Sequence, residues 1–334
     1  MTEPLVSVLL PVRNGQAFLH GALDSILRQS LTRWELVAVD DNSTDDTPRI
    51  LADYGRRDRR IRILDSRERG LVAALATGLT SCRSPLVARM DADDVSHPRR
   101  LEMQFDFMDK NPEVGLTACS FRHFPRHDIR VGMRSYETWQ NGLCTHELIM
   151  RDLYVESPFV HPSVMFRKKL VQAVGGYQDR GWCEDYDLWL RLAAAGVQFA
   201  RLPRLLFFWR DRSERLTRTA AAYSQSAFRD CKAHYLKQGF LAGIDEVTLV
   251  GAGQEGRAWR RTLEQRGIRV FRWIDADPRK RGRMLHGAPV LPPETAELSG
   301  KFLVTVGTRG ARQEIRTWLA GRGLVEGEDV VCVT

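Results

Sequence analysis

No two cysteines in this chain form a C-x-x-C pair. The six present in 334 residues, Cys82, Cys119, Cys144, Cys183, Cys231 and Cys332, fall at irregular intervals. That argues against a disulfide framework and for reduced thiols in a cytoplasmic protein. No stretch approaches the roughly 18 consecutive apolar residues of a membrane span. The N-terminus carries no basic segment followed by a long apolar run, so no signal peptide is expected. There is no basic tail either. The net charge of +8 comes from 50 basic and 42 acidic residues, and it is dispersed: residues 245–334 hold 15 Lys/Arg and 12 Asp/Glu. A spread positive balance suits phosphate-bearing or anionic-membrane partners. No recognisable nucleic-acid module accompanies it, so no nucleic-acid partner is expected. Phe207-Phe208-Trp209-Arg210 reads as a buried strand edge before it reads as a bilayer contact. The expectation is at most peripheral contact, at the inner face of the membrane.

What is present points to two α/β domains. The length exceeds one ordinary small domain, and 43% hydrophobic with 28% charged residues is normal for a globular chain. Val6–Pro11, Trp34–Val39, Ile61–Leu64 and the run beginning at Leu86 read as strands. Between them Phe18–Ser30, Thr47–Tyr54 and Gly70–Leu79 have helical spacing. Such alternation implies a mostly parallel sheet with helices on both faces. Two strands end in acids: Asp40-Asp41 after the second, and Asp91-Ala92-Asp93-Asp94 after the fourth. In a parallel sheet those ends share one edge, where open α/β folds bind ligands. Like charges held this close need a cation or donors to offset them. The working expectation is therefore a divalent metal that also holds phosphates. Asp94, Ser96 and Pro98 are also good helix-start residues, which accounts for Asp94 but not for Asp91 and Asp93.

Further on, Pro98–Lys110 reads as a helix and Val114–Ser120 as a strand. Residues 121–160 fit neither period and are expected to be long loops that carry acceptor choice. His161–Phe166 enters a strand, and Lys168–Val174 is a short helix closed by Gly175-Gly176. A helix opens at Trp182-Cys183-Glu184-Asp185-Tyr186-Asp187. Three acids in its first turn are more than macrodipole complementation needs.

Five blocks together resemble the family 2 glycosyltransferases, which have the GT-A fold. They are Val6-Ser7-Val8-Leu9-Leu10-Pro11-Val12-Arg13-Asn14, Val39-Asp40-Asp41-Asn42-Ser43-Thr44-Asp45, the stretch from Arg69 to Gly78, Arg89-Met90-Asp91-Ala92-Asp93-Asp94, and the stretch from Glu184 to Arg191. They come in the family's order and spacing over roughly residues 4–210. The resemblance implies a nucleotide sugar, UDP-linked, as donor and a sugar, lipid-linked or glycan hydroxyl as acceptor, in cell-surface polysaccharide or glycoconjugate synthesis. It implies that Pro11, Val12, Arg13 and Asn14 line the nucleotide and that Asp41 accepts from the base ring N–H. Asp91 and Ala92 would face the nucleoside, with Asp91 on the ribose. Asp93 would bind Mg2+ or Mn2+, Asp185 would be the general base, and Glu184 would line the acceptor. With one carboxylate opposite the leaving group and no second candidate near the anomeric carbon, an inverting displacement is favoured. The chain departs from the family's pattern in three places. Glu68 and Ala76 stand where asparagines are usual, and Arg212 stands where the family often has His. Arg210 or Arg212 is thus a candidate phosphate ligand, unless this is simply a solvated basic loop.

The domain boundaries expected are 1–212 for the glycosyltransferase domain, 213–244 for a helical linker with Leu216–Lys237 helical, and 245–334 for a small Rossmann-like domain. In the last, Val247–Val250 precedes Gly251-Ala252-Gly253-Gln254-Glu255-Gly256, then a helix and a strand ending in Asp275. That is the dinucleotide-fold pattern of strand, G-x-G-x-x-G, helix, strand and acid, with Gly251, Gly253, Gly256 and Asp275 as candidate nucleotide contacts. The region also resembles the nucleotide-sugar-binding domain of sugar acyltransferases. A nucleotide-sugar pocket, a docking role and NAD(P) binding all remain open for it. Two rivals stand for the whole chain: a non-catalytic nucleotide-sugar-binding protein, and a sugar nucleotidyltransferase. The second usually needs a Gly-rich basic loop, for which Arg13-Asn14-Gly15 offers one glycine.

Overall fold

The computed structural model describes residues 3–213, 215–308 and 310–334. By contact density it divides into two compact units. The first comprises residues 1–149 and 158–219, the second residues 150–157 and 220–334.

The first unit runs β1 (Val6–Val12), α1 (Leu19–Leu27), β2 (Trp34–Asp40), α2 (Thr47–Arg57), β3 (Ile61–Asp65), α3 (Leu71–Ser81), β4 (Leu86–Arg89) and β5 (Val95–Ser96). Then come α4 (Arg100–Lys110), β6 (Val114–Phe124), α5 (Val131–Gly142), α6 (His146–Asp152), β7 (Val164–Arg167), α7 (Lys168–Ala173), α8 (Glu184–Ala194), β8 (Gln198–Arg210) and α9 (Leu216–Thr219). Eight strands form one sheet in the order β3-β2-β1-β4-β7-β6-β8-β5. β1, β2, β3 and β4 are parallel. β7 runs antiparallel to both β4 and β6, and β6 is parallel to β8. It follows that β4, β6 and β8 all run the same way. The carboxyl ends of β1, β2, β4 and β8 therefore share one edge with the entry to β7. That edge is where Asp41, Asp91, Arg210 and His161 lie.

The core explains why the sheet forms as it does. β1 and β2 are buried along their whole length, as a strand covered on both faces must be. α3 lies unusually close to β1 and β2. A Cβ at Gly78 would meet Leu9 Cδ1 at 2.2 Å and Val39 Cγ2 at 2.9 Å, so glycine is what allows the approach.

Two expectations are corrected. Residues 121–160 are not long loops: β6 continues to Phe124, and α5 and α6 occupy much of the rest. The period was hidden because α5 buries polar side chains. Glu137 and Gln140 are its inward residues. Glu137 accepts from the His123 backbone N–H at 2.8 Å and pairs with Arg126 at 2.9 Å. Nor is Asp94 a helix-start residue, because β5 follows it and α4 begins only at Arg100. Its carboxylate is instead held by β8.

The second unit comprises α10 (Gln225–Gln238), β9 (Glu246–Val250), α11 (Gln254–Glu264), β10 (Arg269–Ile274), β11 (Met284–Leu285), β12 (Ala288–Leu291), β13 (Phe302–Val304), α12 (Ala311–Gly321) and β14 (Val330–Cys332). Its sheet order is β11-β12-β10-β9-β13-β14, parallel apart from the β11–β12 pair. The expected helix from Leu216 to Lys237 is interrupted: α9 ends at Thr219, and Ser224 starts α10 afresh by accepting from the Ala227 N–H at 3.2 Å. α10 packs Ala233 and Leu236 into the second unit's core. The six cysteines are all free thiols. Among the described residues no helix is long and apolar enough to cross a membrane.

Candidate functional site

At the edge of the first sheet, the loops after β1 and β2 are laced together. Asn14, in the left-handed region at φ 50°, donates its backbone N–H to Ser43 Oγ at 2.9 Å, and its side-chain oxygen accepts from the Thr44 N–H at 2.8 Å. Gly15 N–H donates to Thr47 Oγ1 at 2.8 Å, and Gln16 N–H to Asp45 Oδ2 at 3.1 Å. Asn14 thus shapes this pair of loops with its own polar atoms, and Pro11 and Val12 enter it as the end of β1. Arg13 is exposed beside them. Asp41 is buried; its Oδ1 accepts the Gly70 N–H at 2.8 Å, which ties the start of α3 to the end of β2.

The acidic cluster follows β4. Carboxylate oxygens of Asp91, Asp93 and Asp94 all lie within 4.8 Å of one another. Three negative charges in so small a space oppose ionisation. Burial pushes the Asp93 and Asp94 carboxyls above the ordinary range, and the neighbouring Asp91 charge pushes further. Asp91 moves the other way. Burial would raise it, but the Arg89 guanidinium, 2.7 Å away, holds it down. β8 grips the cluster from the far side. The Arg210 N–H donates to Asp94 Oδ1 at 2.7 Å, and Arg210 Nε donates to the Asp93 carbonyl at 2.7 Å. The Arg210 guanidinium also lies 4.4 Å from both the Phe18 and Phe124 ring centres. Arg210 therefore braces the backbone. Arg212 Nε stands 2.9 Å from Asp93 Oδ2, an ion pair without hydrogen-bond alignment. A third cation was missed from the sequence. Arg215 stacks over Trp209 at 3.7 Å and adds its positive charge to the field of all three aspartates.

The cluster's chemistry fits a hard divalent ion. Its donors are all carboxylate oxygens, it is crowded with negative charge, and Asp94 Oδ2 is buried without a hydrogen-bond partner among the described residues.

On the other side of Arg89 lies the start of α8. Asp185 accepts the Tyr186 N–H at 2.7 Å. Burial first, then the adjacent Glu184 charge, raise its carboxyl well above the ordinary range. Glu184 is buried and faces His161 Nδ1 at 3.5 Å, while His161 Nε2 lies 2.9 Å from Tyr177 Oη. Burial first, and then the Arg89 charge, lower the His161 pKa. Asp187, the third acid of the turn, is fully buried and holds Arg191 Nε and Trp182 Nε1, each at 2.8 Å. Its role is to anchor α8.

Arg89 is the hub that the sequence left unnoticed. Its side chain is 2% exposed, it pairs with Asp91, and its charge reaches Glu184 and Tyr177. One buried cation thus serves both groups of acids. An arginine inside a strand run gives no signal of this kind, and His161 was hidden because it precedes an antiparallel strand whose direction sequence alone does not reveal.

In the second unit Gly251 has φ 108°, and a Cβ on Gly256 would meet the Gly251 carbonyl at 2.0 Å, so these glycines are demanded by the tight turn into α11. Gly253 precedes α11 directly. Asp275 accepts from the Ala252 and Asp277 N–H groups, both at 2.8 Å, and pairs with Lys280 at 2.8 Å. Its oxygens are thus engaged within the unit.

The family model for glycosyl transferase family 2 matches residues 7–175. A UDP-Gal:alpha-D-GlcNAc-diphosphoundecaprenol beta-1,3-galactosyltransferase of Escherichia coli is 30% identical over 235 residues, covering 70% of this chain and 82% of that one. Among solved structures, TarS 1–349 of S. aureus in complex with UDP-GlcNAc superposes with a TM-score of 0.56 at 15% identity, over 78% of this chain and 80% of that one. A mannosyltransferase of Pyrobaculum calidifontis in complex with GDP-Man and Mn2+ does so with a TM-score of 0.50 at 20% identity, over 80% of this chain and 70% of that one. These two likenesses show a shared fold: a mixed α/β architecture of the GT-A type, here with a second sheet in the C-terminal part.

Proposed function

The chain belongs to glycosyl transferase family 2, and from that premise we propose that it moves a sugar from a UDP-linked donor to an acceptor hydroxyl with inversion. The observation that carries this reading is the gathering, at one sheet edge, of Asp41, of the Asp91, Asp93 and Asp94 cluster and, within reach of the Arg89 charge, of Asp185. Asp41 spends one oxygen on Gly70 and turns the other to the ring N–H of a uracil-like base. Pro11, Val12, Arg13 and Asn14 wall the nucleotide, and Asp91 with Ala92 meets the ribose. Asp93, with Asp94 beside it, would hold Mg2+ or Mn2+, which would supply positive charge to offset that of the diphosphate. Arg212 and Arg215 add positive charge on the same side, and Arg210 keeps the Asp93 and Asp94 backbone in place.

In the reaction the acceptor oxygen forms a bond to the anomeric carbon as the bond to the diphosphate oxygen breaks. The acceptor's proton passes to the Asp185 carboxylate. A raised carboxyl is the stronger base, which suits a hydroxyl whose proton becomes acidic only as the new bond forms. Glu184, steadied by His161, borders the acceptor. The similarity to an enzyme named for a diphosphoundecaprenol-linked acceptor supports a lipid-linked acceptor, cell-surface glycan synthesis and a peripheral position at the cytoplasmic membrane face.

The second unit, with residues 245–334 as its Rossmann-like part, is a nucleotide-sugar-binding module like that of sugar acyltransferases. With Asp275 engaged by Lys280, a ribose hydroxyl has a competitor there, which weighs against NAD(P). Calorimetry with UDP-sugars and with NAD separately tests it; binding of neither leaves only docking.

The deciding experiment is a transfer and donor-hydrolysis screen across nucleotide sugars, with and without Mn2+, on the wild type and Asp185→Asn. Asp185→Asn is expected to lose transfer by a factor on the order of 10²–10⁴ while keeping UDP affinity. Transfer at the wild-type rate would remove Asp185 as the base. Asp93→Ala is expected to lose metal-dependent nucleotide binding.

A further inference from the structure

A string of arginines leads from the acidic cluster to the surface of the first unit. Arg212, at Asp93, offers its carbonyl to Arg218, whose guanidinium also reaches Met133 Sδ on α5 and Asp211. One residue on from Met133, Arg134 donates to the carbonyls of Ile129 and Arg126. The segment from Arg126 to Arg134 therefore folds into a knuckle with Arg126, Arg130, Arg134 and Arg218 on its outside. The carboxylates that pair with two of these arginines lie beneath the surface: Glu137 under Arg126 and Asp211 under Arg218. Arg130 has no carboxylate partner among the described residues. The one exposed acid on the segment is Asp128. At the start of α5 stands Val131, 74% exposed, the most exposed large hydrophobic side chain among the described residues.

We propose that this knuckle docks the first unit onto an anionic lipid bilayer, with the arginines on headgroup phosphates and Val131 at the boundary of the acyl chains. Charge complementarity selects an anionic partner. The exposed Val131 side chain selects a bilayer over a soluble polyanion, because a valine between cations gains nothing from nucleic acid or a sulfated glycan. The position selects a purpose. The arginine string ends at Asp93, so docking sets the acidic cluster close to the membrane surface, where a lipid-linked acceptor would present its sugar. That purpose rests on the glycosyltransferase reading; the docking itself does not.

The test is co-sedimentation of the full chain with vesicles of phosphatidylcholine containing about one third phosphatidylglycerol, against vesicles of phosphatidylcholine alone. Expected is binding to the first and not the second, abolished at high salt. One unit of charge near such a surface changes partition about fivefold. Arg130→Glu with Val131→Glu, three charge units, should weaken it on the order of a hundredfold. Arg130→Gln should weaken it about fivefold, which guards against misfolding of the double variant. UDP-sugar hydrolysis should be the same for all three proteins. Equal vesicle binding by wild type and both variants, or retention on heparin without retention on vesicles, overturns the proposal. Loss of vesicle binding with hydrolysis intact supports it. An absence of hydrolysis in the wild type counts against the enzyme reading and leaves the vesicle result to be judged by itself.

Discussion

Replacing Arg89 by methionine isolates the one cation shared by the two acid groups. Methionine keeps the unbranched length and fills the buried channel, so the change is chiefly one of charge. Arg89 is 2% exposed and lies 2.7 Å from Asp91, whose side chain is 31% exposed. Removing one partner of a buried pair costs about 3–5 kcal/mol. Asp91 opens partly to water, which recovers some of that, so about 2–3 kcal/mol is expected at pH 7.5. The pH dependence follows from the Asp91 carboxyl lying below its ordinary range. A depressed carboxylate contributes stability above the unfolded pKa, near 3.9, and loses it as pH falls through the folded value. In the variant, burial acts on Asp91 unopposed by Arg89, so its carboxyl takes up a proton at higher pH. The difference between the two proteins should therefore shrink as pH is lowered to about 4.5. Urea denaturation followed by tryptophan fluorescence at the two pH values reads this. Adding Asp91→Asn to Arg89→Met should recover much of the loss, since no charge is then left unpaired. If Arg89→Met unfolds at the wild-type urea concentration at pH 7.5, or if Asp91→Asn recovers nothing, Arg89 is not the electrostatic hub.

Two further outcomes follow from the same geometry. Asp185 is raised by burial and by the Glu184 charge, so transfer should increase with pH through a value above that of an ordinary aspartate, and Glu184→Gln should move this acidic limb to lower pH; a limb that stays in place would separate the two carboxylates. Gly78→Val should destabilise the first unit by about 1–3 kcal/mol through overpacking against Leu9 and Val39, whereas Gly21→Ala, where an added Cβ meets nothing within 4 Å, should be neutral or stabilising in thermal melts.

The part of this molecule that sequence reveals is the part whose chemistry is local. β1, β2 and β4 are short apolar runs that stop in polar residues, and their periodicity is a property of each run alone. The same holds for the glycine turn from Gly251 to Gly256. α5 escaped because its inward face is Glu137 and Gln140, and polar residues are buried only where partners from elsewhere satisfy them. For Glu137 those partners, His123 in β6 and Arg126 just beyond it, lie outside α5. Asp94 misled for a related reason. Its neighbours have helix-start character, but its carboxylate is claimed by the Arg210 N–H, 116 positions away.

The site residues divide along the same line. Asp41, Asp93 and Asp185 are visible because they stand at the ends or starts of elements. Arg89, His161 and Arg215 are not, because each acquires its meaning from a strand that returns to the same edge. β7 must run antiparallel for His161 to arrive beside Glu184, and β8 must run with β4 for Arg212 and Arg215 to reach the aspartates. β7, antiparallel to its neighbours β4 and β6, is thus what closes the site. It brings His161 and the start of α8 to the carboxyl edge that β1, β2 and β4 had already furnished with acids, and β8 brings Arg212 and Arg215 there. Arg89 then makes the two halves interdependent. Its charge lowers Asp91 on one side and opposes the rise of Asp185 on the other. A substitution there should disturb nucleotide binding and proton transfer together, whereas substitutions at Asp93 or Asp185 should disturb one each.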